Sequence, residues 1–401
     1  MTISCADCGS FQVLPDLPPR GVAECFRCDR VLARAHRAGV ALPMACAIAV
    51  LVLIPAGAFL PLMQSTFRNL LFEESRLISS VGVIYTEVWF PFAFGFLFFA
   101  FLFPAIRAIL QILVLGSILS GWRVPVRGRL FRWSEELRPW SMPDVVVIAG
   151  LIAYYRAEVA SEVDVMIGGW TYLFAAFMAS ATDLSLDRRS VWNAIHPDLA
   201  TYPDREMPSC DVCELVVSWR RHGDPCPRCG EILASHVLPR FIAAVTAVAA
   251  TIPLLLPAFL FSVMVNDQLT GVLEHTVLGT VQMLADRGYW QFGVVVLLAG
   301  IVIPLVVLVV LIVLIVRVRF PERGGLVIRT RLYRLIHRLM RWPMILPFIA
   351  AIAAPIIDYQ GIDDIVAGPG ATPLFMVIAL IMLAVQVLEP RLMWKTAGVE
   401  R

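Results

Sequence analysis

The sequence predicts an all-α polytopic membrane protein made of two tandem four-helix repeats, each preceded by a small cysteine-rich ribbon. Three observations predict it. Apolar runs are long enough to cross a bilayer, landmarks recur about 200 residues apart, and a four-cysteine cluster stands just before the first apolar run of each repeat.

Of the 401 residues, 59% are hydrophobic and 16% charged, and the mean hydropathy is +0.77. A soluble domain of this length needs more surface charge, so the excess apolar area faces hydrocarbon. Nine cysteines are too few for a disulfide scaffold at this length, and eight stand in tight pairs. That pattern reads as metal ligation in a reducing compartment. Cys5 and Cys8 precede any apolar run, so no cleavable signal peptide is expected.

A helix needs about 20 apolar residues to cross a hydrocarbon core of ~30 Å. The clear runs are Val40–Leu62, Val88–Leu119, Val165–Leu184, Leu238–Val265, Tyr289–Val316 and Leu374–Leu388. Two shorter segments, Asp144–Tyr155 and Trp342–Ile357, complete four spans per repeat; a re-entrant course is the alternative for the first of these. Counted over alternate loops, 28 of the 33 Lys and Arg fall on one side, with both termini and both cysteine clusters. The positive-inside rule makes that side the cytosol.

The repeat is read from landmarks. Cys25 pairs with Cys226, Pro104 with Pro304, Trp140 with Trp342, and Asp187-Arg188-Arg189-Ser190-Val191-Trp192 with Glu389-Pro390-Arg391-Leu392-Met393-Trp394. An even number of spans per repeat gives both the same orientation, the parallel kind of duplication. The expected divisions are a first ribbon over 1–37, a first membrane repeat over 38–192, a linker and second ribbon over 193–236, and a second repeat over 237–401.

The first cluster is Cys5-Ala-Asp-Cys8 and Cys25-Phe-Arg-Cys28; the second is Cys210-Asp-Val-Cys213 and Cys226-Pro-Arg-Cys229. Two intervening residues let one tight turn present both thiolates to one ion, and Gly9 and Gly230 permit the positive φ such a turn uses. Four thiolates close a tetrahedron, the structural zinc geometry, so two zinc ribbons with two structural zinc ions are expected. Iron in a rubredoxin-like site has the same ligands. Ribbons of this size cannot fold on a core of their own, so metal supplies the folding energy. They are expected to brace the cytosolic mouth and fix the first span of each repeat. Their arginines follow the positive-inside rule, so no nucleic-acid partner is expected.

The arrangement resembles the paraquat-inducible protein A family, which includes the lipid-transport protein A of Gram-negative envelopes. The resemblance rests on the paired ribbons, four spans after each, Trp140-Ser141-Met142-Pro143-Asp144 and the terminal Glu389–Trp394 segment. Arg156 matches a basic position at the outer end of the third span in that family. The second repeat departs, having Trp342-Pro343-Met344 with no acid after it, and the first has Arg188 where the terminal motif has proline. The resemblance implies a bacterial inner-membrane subunit, not an enzyme, that works with a membrane-anchored MCE-domain protein and passes phospholipid between the inner membrane and a periplasmic tunnel. No nucleotide-binding motif occurs in the chain, and a membrane redox protein with iron-bound ribbons or a purely structural anchor are the alternatives.

Short, proline-interrupted segments at corresponding places in two repeats point to a transport pathway. Asp144, Tyr155, Arg156, Pro347 and Pro355 are its candidate residues. Arg156 contacts a lipid phosphate, or is an interfacial arginine that snorkels. Asp144 is an acid favoured by a helix N-terminus, or part of a polar relay. The basic stretch Arg317–Arg341 reads as an amphipathic helix lying on an anionic leaflet.

Overall fold

In the computed structural model the two halves repeat one another element for element. It describes residues 2–13, 18, 21–34, 39–67, 71–86, 90–122, 125–158, 162–195, 210, 212–216, 223–233, 237–268, 271–286, 288–320, 324–357 and 363–399.

The chain begins with two short antiparallel hairpins, β1 (Thr2–Ser4) with β2 (Phe11–Val13) and β3 (Val22–Glu24) with β4 (Val31–Arg34). The first half follows as α1 (Ala41–Phe59), β5 (Pro61–Phe67), β6 (Leu71–Arg76), α2 (Leu77–Thr86), α3 (Phe90–Phe96), α4 (Phe103–Leu119), α5 (Arg127–Leu137), α6 (Pro143–Glu158), β7 (Glu162–Val165), α7 (Ile167–Ser185) and α8 (Arg188–Ile195). The second half gives the same order: α9 (Val237–Leu260), β8 (Met264–Gln268), β9 (Gly271–His275), α10 (Val277–Asp286), α11 (Trp290–Leu297), α12 (Ile303–Arg319), α13 (Leu326–Leu339), α14 (Ile345–Ile357), β10 (Asp363–Ala367), α15 (Ala371–Val387) and α16 (Arg391–Thr396).

Among the described residues, four helical stretches are long and apolar enough to cross a membrane: Ala41–Phe59, Phe92–Leu119, Leu238–Leu260 and Trp290–Arg319. The helix α7 and the shorter α6, α14 and α15 pack among them. Within each half the first and fourth helices form the tightest pair, α1 on α7 and α9 on α15. At the end remote from the ribbons each half carries a small antiparallel sheet that the helical reading does not contain. Its orders are β6-β5-β7 and β10-β8-β9. The central strand directly follows the first helix, and the strand before the fourth helix pairs with it, Gln64 opposite Asp164 and Asn266 opposite Ile365. The chain on leaving hydrocarbon thus satisfies its backbone groups by a ladder.

Irregular backbone falls in the second span of each half. Between α3 and α4 the segment Leu97–Leu102 is π-helical, with the Phe103 N–H reaching back to the Phe98 carbonyl; Leu298–Val302 does the same between α11 and α12. Pro104 and Pro304 follow directly. Proline has no N–H to donate and crowds the carbonyl four residues back, which for Pro104 is Ala100. The Tyr172 hydroxyl on α7 donates to that carbonyl at 2.8 Å, and the Met142 N–H donates to the Phe99 carbonyl at 3.2 Å. By contrast, the proline-rich α14 is continuous: a 3-10 turn at Trp342–Met344 opens it, and Pro347 lies in its first turn, where no N–H is needed.

The halves do not meet symmetrically. The α14 helix leaves its own half and packs on α6, α2 and α3 of the first. Phe348 meets Phe96 edge-on at 5.5 Å. Phe375 on α15 closes on Gly95 and stacks at an angle on Phe92 at 5.3 Å.

Candidate metal centres and the seam between the halves

Each four-cysteine cluster is built from two copies of one turn. The N–H of the residue after the second cysteine donates to the carbonyl of the first: Gly9 to Cys5 at 2.9 Å, Asp29 to Cys25 at 3.0 Å, Glu214 to Cys210 at 3.1 Å and Gly230 to Cys226 at 2.8 Å. All four of these residues have positive φ, from 57° to 73°. Glycine takes that conformation freely, whereas Asp29 and Glu214 are held in it by the turn. The turns converge in crossed pairs, Cys5 to Cys28 at 3.6 Å, Cys8 to Cys25 at 3.6 Å, Cys210 to Cys229 at 3.4 Å and Cys213 to Cys226 at 3.6 Å. All eight sulfurs belong to buried residues, and each set lies within 4.8 Å of itself. A tetrahedral ion with bonds of ~2.3 Å needs edges of about 3.8 Å, so both sets fit a metal. Thiols this crowded do not all ionise unless a cation shares them. Hydrogen bonds from Cys28 to Cys25 and from Cys210 to Cys226 hold Cys25 and Cys226 far below the usual thiol value; the same crowding drives Cys28 and Cys213 far above it.

The ribbons dock crosswise, although the second also holds the first span of its own repeat, as expected, where Arg240 of α9 donates to Glu231 at 2.9 Å. The first ribbon sits on the second half. Arg334 of α13 donates to Asp7 and to the Cys28 carbonyl, both at 2.7 Å; Arg331 pairs with Asp29 at 2.7 Å; and Arg391 of α16 donates to the carbonyls of Cys5 and Ala6 at 3.1 and 3.0 Å. The second ribbon sits on the first half, where Arg132 of α5 donates to Glu231 at 2.6 Å and Phe131 and Trp192 form its apolar platform. Gly128 lets the Arg228 carbonyl approach so closely that a Cβ would overlap it. Arg30 and Glu214 join the two ribbons at 3.5 Å. The signal for this was in the sequence: Arg127-Gly-Arg-Leu-Phe-Arg132 and Arg329-Thr-Arg-Leu-Tyr-Arg334 are one motif written twice. Two arginines of α13, Arg331 and Arg334, thus hold the first ribbon rather than lying on a leaflet.

Beside this platform lies a charge cluster confined to the first half. Arg107, buried on α4, bonds Asp183 on α7; Arg138 reaches the same carboxylate at 3.3 Å, and Arg188 pairs with Glu135 at 2.8 Å. Asp183 is thus the partner of a buried arginine. Burial pushes the Glu135 carboxyl up, and Arg107 and Arg138 pull it back.

Of the candidate pathway residues, Asp144 lies in the first turn of α6, and Arg341 donates to it at 2.7 Å and to the Ser141 carbonyl at 2.9 Å. This ion pair joins the halves. Tyr155, half-exposed, stands near Phe292 of α11 at 6.0 Å. Pro347 is buried in α14. Arg156 and Pro355 lie on the α6 and α14 backbones, and their side chains fall outside the described residues.

The second span of the first half and α15 of the second do not close on one another along their whole length. Between them runs a groove of about 1050 Å³, walled by Phe94, Phe98, Phe103 and Met376 and ended toward the ribbons by Trp133 and Glu136 of α5. Its π-helical wall supplies Phe98 and Phe99, and Phe99 stacks on Trp140 at 5.7 Å.

Comparisons with known proteins agree with this architecture. The family described as Paraquat-inducible protein A matches over residues 40–196 and 242–398, one stretch per half. The chain is 24% identical to the Intermembrane transport protein PqiA of Escherichia coli strain K12, covering 98% of this chain and 95% of that one. It is 22% identical to a Probable intermembrane transport protein of Haemophilus influenzae over the same shares. To the Lipophilic envelope-spanning tunnel protein A of E. coli it is 25% identical, over 65% of this chain and 61% of that one. No solved structure matches. The family matches once in each half, each match preceded by a four-cysteine ribbon, and the chain belongs to the paraquat-inducible protein A family.

Proposed function

We propose that the protein is the inner-membrane subunit of an intermembrane lipid transport system, passing phospholipid between the inner membrane and a periplasmic tunnel formed by a membrane-anchored MCE-domain partner. One observation carries the reading: the two halves leave between them an apolar, aromatic-walled groove that opens sideways from the helical body. Such a surface offers a lipid tail the surroundings it has in the bilayer. The names of the relatives, intermembrane transport and envelope-spanning tunnel proteins, support the same class.

In this reading both ribbons and both termini lie in the cytosol, as the Lys and Arg distribution favours, and each ribbon holds one structural zinc ion. Lipid moves between the groove and the far end along the joint of α6 and α14. Asp144, Pro347 and Pro355 lie on that route, and Tyr155 and Arg156 stand at its exit, where Arg156 meets a lipid phosphate.

Reconstitution of the protein with its MCE-domain partner tests this directly, by measuring transfer of labelled phospholipid to acceptor vesicles. Wild-type protein supports transfer, and Arg156→Glu reduces it at least tenfold without loss of assembly. Transfer that needs only the partner would refute the proposal.

A further inference from the structure

The groove has a chemical polarity of its own. From Phe94 to Leu110 its long wall covers about 24 Å at the helical rise per residue, more than the ~15 Å depth of one hydrocarbon leaflet. That wall and the opposite one on α15 are apolar throughout. Among the groove's described lining residues one is charged, Glu136, at the end nearest the ribbons, with Trp133 and Trp140 beside it.

Glu136 shares its nearest cation, Arg132, with a second acid, Glu231. Arg132, one turn earlier on α5, gives its short bond, 2.6 Å, to Glu231 of the second ribbon and makes only the longer ion pair, 3.4 Å, with the more exposed Glu136. Burial pushes the Glu136 carboxyl up, Arg132 and Arg240 pull it back, and the neighbouring Glu231 pushes it up again. Indole faces attract ammonium groups, and Trp133 is exposed. The outward faces beside the groove are apolar too, with Ile109, Leu113 and Leu383 exposed, so the groove opens where hydrocarbon covers the protein.

We propose that this groove seats a phospholipid of the ribbon-side leaflet whose headgroup carries a protonated amine. The acyl chain lies against Phe94, Phe98 and Met376, and the ammonium meets Glu136 and the Trp133 indole. A phosphatidylglycerol in the same place sets its net negative charge against the one acid present. The groove therefore selects aminophospholipid over anionic lipid. The inference rests on the lipid-transport reading for its biological sense, but not for its test.

The full-length protein is placed in nanodiscs of equal parts phosphatidylethanolamine and phosphatidylglycerol, extracted in mild detergent, and its retained lipid quantified by mass spectrometry. Wild type retains the aminolipid in roughly threefold to fivefold preference, the size of one partly exposed ion pair. Glu136→Gln brings the ratio to parity at unchanged thermal stability, and Glu136→Lys reverses it. Met376→Trp, which fills the groove from an exposed wall position, lowers retained lipid of both kinds. A wild-type ratio at parity, or a preference that survives Glu136→Gln, overturns the headgroup assignment. Unchanged retention in a folded Met376→Trp protein overturns the groove as the seat. Both results would leave lipid transfer through another route intact, whereas a failed transfer assay with normal retention would remove the transport reading alone.

Discussion

The guanidinium of Arg334 donates to the carbonyl of Cys28, 306 residues earlier in the chain, and to the Asp7 carboxylate between the first two cysteines. A metal ribbon at the N-terminus is thereby fastened to the second half. Charge-assisted hydrogen bonds of this kind contribute about 1.5–3 kcal/mol each. Arg334→Ala is expected to release the first ribbon and raise amide exchange over residues 2–34 while the second ribbon stays protected. Arg132→Ala does the converse. Equal protection of both ribbons in either variant would show that the docking does not depend on these bonds.

Gly128 provides a steric test of the same crossed docking. Its missing side chain is the space that the Arg228 carbonyl occupies. Gly128→Ala forces α5 and the second ribbon apart. We expect destabilisation of the ribbon by about 1–3 kcal/mol, the range for overpacking, seen as faster proteolysis between residues 210 and 233. Gly39, with nothing near its Cβ position, serves as the control, and its alanine variant should behave as wild type.

Metal content follows from the two closed cysteine sets. Elemental analysis of the purified protein should find two zinc ions per chain and no visible absorption; iron would give a coloured protein. Cys28→Ser removes one ion and Cys226→Ser the other, because each set is complete in itself. Loss of both ions from either single variant would mean that the ribbons fold as one unit.

Arg107 and Asp183 give a prediction inside the membrane body. Arg107 is 5% exposed, and the carboxylate is what makes its burial tolerable. Asp183→Ala is expected to cost about 3–5 kcal/mol in detergent unfolding. Replacing both with leucine should recover most of that loss. The second half already shows an apolar solution, with buried Val307 and Val385 at the corresponding positions. A double variant no better than Asp183→Ala would argue against charge burial as the cause.

The ion pair of Arg341 with Asp144 is half-exposed, with side chains 29% and 46% accessible. Its coupling in a double-mutant cycle should therefore stay at or below about 1 kcal/mol. Its interest is positional, since it locks the start of α6 to the turn before α14. Loosening it by Asp144→Asn is expected to change lipid retention more than the unfolding midpoint.

What the sequence determined alone is what local chemistry determines. Apolar length located the long helices, cysteine spacing marked the two four-cysteine clusters, and matched landmarks such as Trp140 and Trp342 revealed the duplication, because each of these is written within a few neighbouring residues. Only the tertiary structure decided that Arg334 reaches Cys28, that α14 nests into the other half, and that the prolines at 104 and 304 sit behind π-helical segments while those of α14 leave a regular helix. Partners hundreds of residues apart are chosen by shape and by competition among many arginines and acids, and no periodicity along the chain records the winner. The groove arises in the same way. Its aromatic residues read as ordinary span residues until the asymmetric packing of α3 and α15 leaves them lining an open groove.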